Sequence, residues 1–284
     1  STVQLYPTGS PTNVVPANIT VSGGRDAITY TPTEDLAPFT SYTFELTSGV
    51  TDVSGAAFLP FTSSFTTGAA GTGPVTDVEF EKVSLPNTSG DNHSSLVVGP
   101  DGKLYATTID GRIKRWTMEP DGSLSNEEVI TSLTDAEGGT RLLIGLTFDP
   151  ASTAAEPIAW VSHTTFGFSG MPDWGGKVTR LSGPNLGTVQ DYVVNLPRSL
   201  RDHVTNSLSI GPDGALYVNQ GSNSAMGAPD GAWGNRPERK LTAAVLRIDT
   251  DALAQGTLPL DAQTAEGGSY DPFAANAPVT VYAS

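Results

Sequence analysis

One phrase, present twice, constrains this chain more than anything else in it. Leu208-Ser209-Ile210, Gly211-Pro212-Asp213-Gly214 and Ala215-Leu216-Tyr217-Val218 read as strand, tight turn and strand; Leu96-Val97-Val98, Gly99-Pro100-Asp101-Gly102 and Lys103-Leu104-Tyr105-Ala106 repeat the order. Proline presets φ for the turn and glycine takes its left-handed position, so Asp101, Asp121 and Asp213 are turn residues before they are ligands. A histidine precedes each copy, His93 and His203. A repeated two-strand unit cannot bury both faces alone, so the phrase calls for a repeat architecture.

Further strands fall into register with these. Ile144-Gly145-Leu146-Thr147-Phe148 matches the first strands and Ile158-Ala159-Trp160-Val161 the second. Third strands carry one arginine each, at Arg115, Arg180 and Arg247, and the expectation is that these are structural blade-to-blade contacts. Fourth strands run Glu128–Thr131, Tyr192–Asn195 and Thr280–Ala283. Four strands repeated at roughly 40–65 residues describe β-propeller blades with insertions. Val78–Val83 reads as an outermost strand without a blade of its own. Residues 75–284 are thus expected to be a partial propeller, three blades plus one closing strand, about half of a ring. Three blades cannot close, since propellers have about 4–8. The remaining blades are expected downstream of Ser284 or in another chain.

Residues 1–68 form a separate segment. Val3–Tyr6, Ile19–Val21, Ala27–Tyr30, Tyr42–Leu46 and Ser64–Thr67 alternate apolar and polar residues, the period of strands with one buried face. They read as a small β-sandwich that lacks a first strand or two. Leu36, Thr40, Tyr42, Asp52, Gly55 and the closing Phe65-Thr66-Thr67-Gly68 resemble a bacterial immunoglobulin-like (Ig-like) domain. Residues 69–74, rich in Gly and Ala, read as a linker. The fold class is therefore all-β, an Ig-like sandwich followed by half a propeller, and 31 Gly with 21 Pro suit many short strands and turns.

The formal net charge of −15 argues against nucleic acid or an anionic membrane as partner, because both repel it. No stretch approaches the roughly 20 apolar residues of a membrane span. Cysteine is absent, which excludes disulfides and thiolate chemistry. A chain opening at Ser1 is expected to be a mature or trimmed product, located extracellularly, on the cell surface or in the periplasm.

Blade topology makes a prediction about the histidines. Loops leading into first strands, and loops joining second to third strands, share one face of the disk. His93 and His203 fall in the former and His163 in the latter, so all three share that face. Long loops at 163–174 and 219–240 add Trp174, Trp233, Asn235, Arg236, Glu238 and Arg239. Aromatics, histidines and arginines around a central mouth suit a binding floor. For His93 and His163 the competing reading is a hydrogen bond to a loop carbonyl. Asp249 and Asp251 fall far short of a calcium shell, and the metal ligands stay unassigned.

Asp202-His203 followed by Ile210–Tyr217, with Glu137-Gly138-Gly139 and Leu142–Pro150 upstream, resembles the soluble quinoprotein glucose/sorbosone dehydrogenase family. The resemblance implies a six-bladed propeller that binds pyrroloquinoline quinone (PQQ) and calcium at its mouth and oxidises a sugar or related alcohol. It also implies that His203 is the general base, a role that a neutral imidazole suits. The chain departs from that family at Asn206-Ser207, where Gly-Arg is usual, and at Ser222, where an aspartate is usual. Two functions stay open: oxidation of a carbohydrate or small alcohol by His203, and non-catalytic glycan or protein binding.

Overall fold

The computed structural model describes residues 2–21, 28–51, 55, 57, 59–68, 84–225 and 227–284. The chain divides into two compact units, Ser1–Lys82 and Val83–Ser284. The expected linker at 69–74 and the expected strand Val78–Val83 lie outside the described residues.

In the first unit, strands β1 (Val3–Pro7), β2 (Ala17–Val21), β3 (Ile28–Pro32), β4 (Ser41–Leu46) and β5 (Phe61–Thr66) fall where the alternation marks them. β4 is the centre of an antiparallel sheet β1-β4-β5, and β2 pairs with β3. Val3, Leu5 and Tyr42 are its buried apolar residues. Tyr42 stacks on Phe65 at 5.9 Å between centroids, and Tyr30 meets Phe44 edge-on at 6.1 Å. Aromatic pairs of this kind supply much of the apolar contact that such a small core needs.

Among the described residues the second unit holds three sheets, each with four antiparallel strands in chain order, the second extended by a fifth, parallel strand. The first contains β6 (His93–Val98), β7 (Leu104–Thr108), β8 (Ile113–Met118) and β9 (Leu124–Ile130). The second contains β10 (Arg141–Phe148), β11 (Ile158–Thr165), β12 (Trp174–Ser182) and β13 (Thr188–Pro197). The third contains β14 (Thr205–Ile210), β15 (Leu216–Gln220), β16 (Ala244–Ile248) and β18 (Val279–Ala283). All twelve expected blade strands are present. The described helices are short: α1 (Ser132–Glu137) and α2 (Thr250–Ala254), with three single 3₁₀ turns. β17 (Leu260–Asp261) was not expected; it leaves the third blade and adds a parallel strand to the outer edge of β13.

First strands pack on first strands: β10 meets both β6 and β14. The apolar core accordingly has two parts. Ile113, Leu143, Leu146 and Val161 belong to the part that joins the first and second blades. Val178, Leu196, Leu216 and Leu246 belong to the part that joins the second and third. The joints are close. Ser94 Oγ donates to Leu143 O at 2.7 Å, and Ser162 Oγ donates to Asn206 O. A Cβ at Gly145 would lie 2.5 Å from Ser162 Oγ and 3.1 Å from Asn206 O, so only glycine fits between β10 and β14. Beyond these joints β6 carries Leu96 at 67% and Val98 at 54% exposure, an apolar stripe on the open side of the first blade.

The repeated phrase has a physical basis. In each blade the second-strand aromatic is tied to an aspartate of the preceding turn. Tyr105 Oη donates to Asp101 at 3.0 Å, Trp160 Nε1 to Asp149 at 2.9 Å and Tyr217 Oη to Asp213 at 3.1 Å. The third-strand arginine lies directly across from that aromatic: Tyr105 opposite Arg115, Trp160 opposite Arg180, Tyr217 opposite Arg247. This corrects the expectation of blade-to-blade contacts. Arg247 pairs with Asp213 and Asp249, and Arg180 with Ser182, all within their own blades. Only Arg115, which also holds Tyr105 and Glu128, reaches another blade, at Asn185.

Candidate functional site

β13 ends at Pro197, and a turn then carries the chain into β14. Within it Ser199 accepts from the backbone N–H of Arg201 (3.1 Å) and of His203 (3.0 Å), and its own N–H donates to His203 O at 2.9 Å. These bonds fix the backbone of His203, which lies in the loop leading into β14 as expected. β14 opens with a register shift between Thr205 and Leu208, so Asn206 and Ser207 form a bulge. Asn206 is exposed; its side chain bonds Ser207 N, while its carbonyl takes the Ser162 hydroxyl.

The His203 ring is half-buried and lies on Trp233, with centroids 4.0 Å apart and planes tilted by 32°. Nδ1 is 3.0 Å from Ser222 Oγ and 3.2 Å from Ser222 O. The Ser222 hydroxyl gives its hydrogen to Ser224 O at 2.5 Å, so Oγ, like the carbonyl, faces Nδ1 as an acceptor. Nδ1 therefore carries the hydrogen, and the lone pair of a neutral ring is on Nε2. Trp233 closes a 3₁₀ turn, Gly231–Trp233, capped by Asp230 Oδ1 accepting from Trp233 N at 3.0 Å.

The 222–224 segment behind the histidine is held by Glu238. Its carboxylate accepts from Asn223 N at 2.7 Å, Ser224 N at 3.0 Å and Ser224 Oγ at 2.6 Å. Although desolvation opposes it, these hydrogen bonds hold its pKa below the usual carboxylate value. Asn223 Nδ2 donates back to Pro237 O at 2.8 Å.

The arginines of this face are structural ties. Arg236 pairs through Nε with Asp173 and donates to Arg198 O at 2.9 Å and Met171 O at 2.8 Å. Arg239 bonds Asp173 Oδ2 at 2.7 Å and lies over the Trp174 ring. Trp174 is the first residue of β12 rather than a loop residue. Arg198 is fully buried and donates to the carbonyls of Thr165, Gly167, Ser199 and Arg201. Burial, and then the nearby charges of Arg236 and Arg141, lower its pKa to about 10. No sequence pattern marked Arg198 or the clamp made by Glu238.

The other two histidines stand apart; among the described contacts, none joins any two of the three. His93 opens β6, its Nε2 3.3 Å from Thr88 O, which is the competing carbonyl contact. His163 is not in a loop, because β11 continues to Thr165, and the ring is fully buried. Arg141 Nε donates to His163 Nδ1 at 3.0 Å, and Nε2 therefore donates to Thr179 Oγ1 at 2.8 Å, whose hydroxyl donates to Asp191 at 2.6 Å. Burial first, then Arg141 and Lys177, holds the His163 pKa well below its ordinary value. Glu137, His163 and Asp191 could together ligate a cation. Lys177 already bridges both carboxylates, however, and the free lone pair of the ring is taken by Arg141.

A concavity of about 710 Å³ is lined by Val129, Ile130, Asp135, Asn185 and Val189 at the seam of the first two blades. At His203 the described contacts place the Trp233 ring against the imidazole and the Ser222 acceptors at Nδ1. Neither PQQ nor calcium fits the residues here. Three quinone carboxylates need cations, and Arg198, Arg236 and Arg239 are engaged with the protein. No group of carboxylates suited to calcium surrounds His203 among the described residues.

The fold defines an all-β protein, an Ig-like unit followed by part of a β-propeller. Residues 1–67 match the bacterial Ig-like domain family, and residues 95–116 match the strictosidine synthase-like, N-terminal family. No curated protein matches the chain. Among solved structures it is similar to an oxidoreductase from Thermus thermophilus assigned as a glucose dehydrogenase, at 20% identity and a TM-score of 0.39, covering 57% of this chain and 45% of that one. It is also similar to the PQQ domain of a Coprinopsis cinerea pyranose dehydrogenase, at 13% identity and a TM-score of 0.38, covering 57% of this chain and 34% of that one. The chain thus spans less than half the length of either.

Proposed function

We propose that the second unit is part of a sugar-dehydrogenase-like propeller whose mouth presents His203 to a hydroxyl group of a carbohydrate or small alcohol. The observation that carries this reading is the fixed tautomer: two acceptors at Ser222 hold the hydrogen on Nδ1 and leave the Nε2 lone pair unshared among the described contacts. Nε2 would take the hydroxyl proton, and the Trp233 ring beneath the imidazole would resist its rotation. A positioned general base is worth about 10²–10⁴ in rate. PQQ and calcium are implied by the sequence resemblance, and their ligands would come from outside the described residues. The exposed Leu96 and Val98 on β6 support further blades, continuing this chain or supplied by another, as what covers that face. An Ig-like leading unit favours an extracellular, cell-surface or periplasmic protein. No helix among the described residues is long and apolar enough to cross a membrane.

A second reading has its own observation. With the arginines of the mouth engaged internally, the face suits glycan binding without turnover. The test is calorimetric titration of aldoses and polyols, followed by dye-coupled oxidation with PQQ and calcium, for wild type and His203→Ala. Oxidation that the substitution abolishes supports the first reading. Saturable binding with no reduction supports the second, and no binding at all sinks both.

A further inference from the structure

We propose that Glu238 is a positioning residue that sets the tautomer of His203 through the 222–224 segment. The proposal rests on Nε2 of His203 being the working atom. Ser222, which receives the Nδ1 hydrogen, makes no contact with a charged group of its own. What orients it is the next two residues, and Glu238 accepts every hydrogen that they direct toward it: both backbone N–H groups and the Ser224 hydroxyl. Asn223 and Ser224 are completely buried, so their donors have no water to turn to in place of Glu238. The return bond from Asn223 Nδ2 to Pro237 O makes the clamp reciprocal.

The relay runs in one direction. Glu238 fixes the Ser224 backbone, Ser224 O takes the Ser222 hydrogen, and Ser222 Oγ is left able only to accept. If the clamp loosens, the Ser222 hydroxyl is free to rotate and donate to Nδ1, and the Nε2–H form of the ring becomes accessible. The carboxylate thus acts at a distance of one loop, in a place where Ser222 itself offers no charge. A glutamine cannot replace it, because its amide nitrogen would face donors. An aspartate keeps the charge and both acceptor oxygens, though on a shorter stem.

The protein has only three histidines, so long-range proton–nitrogen spectra of the ¹⁵N-histidine-labelled chain resolve each ring. They are recorded at a pH where imidazole is neutral, and His203→Gln identifies the signal. The wild type is expected to show His203 with its hydrogen on Nδ1. In Glu238→Gln the tautomer ratio should move about fivefold toward Nε2–H, the effect of losing one net hydrogen bond, and Glu238→Asp should restore most of it. The His93 and His163 signals report that the fold is intact. If Glu238→Gln fails to fold, Ser224→Ala removes one of the three clamp bonds and should move the ratio the same way by less. A wild-type ring with hydrogen on Nε2, or a ratio unmoved in a folded variant, overturns the proposal. A shifted ratio in a protein that neither binds nor oxidises sugars keeps the relay and rejects the sugar-dehydrogenase reading.

Discussion

Gly145→Ala tests how tightly the second and third blades are joined. The added Cβ would stand 2.5 Å from Ser162 Oγ, 3.1 Å from Asn206 O and 3.2 Å from Leu208 N. The serine can rotate away, at the cost of its bond to Asn206, but the other two atoms are backbone. β10 and β14 must therefore separate. Overpacking of this kind costs about 1–3 kcal/mol, and the lost hydrogen bond adds about 1 kcal/mol. Reduced freedom of the unfolded chain returns roughly 0.4–1 kcal/mol. The net loss is about 1–3.6 kcal/mol, which lowers Tm by roughly 2–14 °C for a unit of this size. All four tryptophans, Trp116, Trp160, Trp174 and Trp233, lie in the second unit, so their fluorescence follows its melting alone. Gly139→Ala is the control, since its Cβ would meet nothing within 4 Å. If the two variants melt within about 1 °C of each other, by the same conversion, the close approach at Gly145 is not what positions these blades.

Two further outcomes concern charge. An unfolded imidazole takes up a proton as pH falls through about 6.5, whereas folded His163 stays neutral until lower pH. Stability is thus lost on acidification below that point, by up to about 1.4 kcal/mol per pH unit. His163→Gln should flatten the decline of the urea midpoint across this range, and an unchanged slope would count against the buried neutral ring. Asp173→Ala leaves Arg236 and Arg239 without their shared carboxylate. It should destabilise the rim by about 1–3 kcal/mol and speed limited proteolysis in the 166–173 loop; equal cleavage rates would contradict the role given to this pair.

The blade strands were legible because apolar alternation and Pro-Asp-Gly turns mark both their centres and their ends. Where signals are polar, reading fails. Ser162, His163 and Thr164 look like loop residues because none is apolar, yet all three are fully buried, and the first two bond across to neighbouring strands. β17 has two residues and no alternation, so nothing announced its pairing with β13. Motif positions singled out both His203 and Ser222, and the structure brings the two side chains together. Arg236 was read as part of a binding floor and is instead a tie between loops, because an arginine's partners are set by carbonyls that no local pattern encodes. The roles of Glu238 and Arg198 escaped notice for the same reason.

β17 also bears on the order in which the chain folds. The third blade has three strands in place by Ile248, but its last strand comes only after an excursion in which Leu260 and Asp261 pair with Val193 and Val194 of the second blade. Ala262, buried in the joint core, is anchored there too, its N–H bonded to Val194 O at 2.9 Å. The third blade therefore completes itself on a template, and the template is the finished edge of its predecessor. For a chain emerging from its N-terminal end, β13 is already available when residues 260–262 appear. A permuted gene that delivered residues 205–284 before 141–197 would contain every strand of both blades, but residues 260–262 would emerge before the edge they pair with.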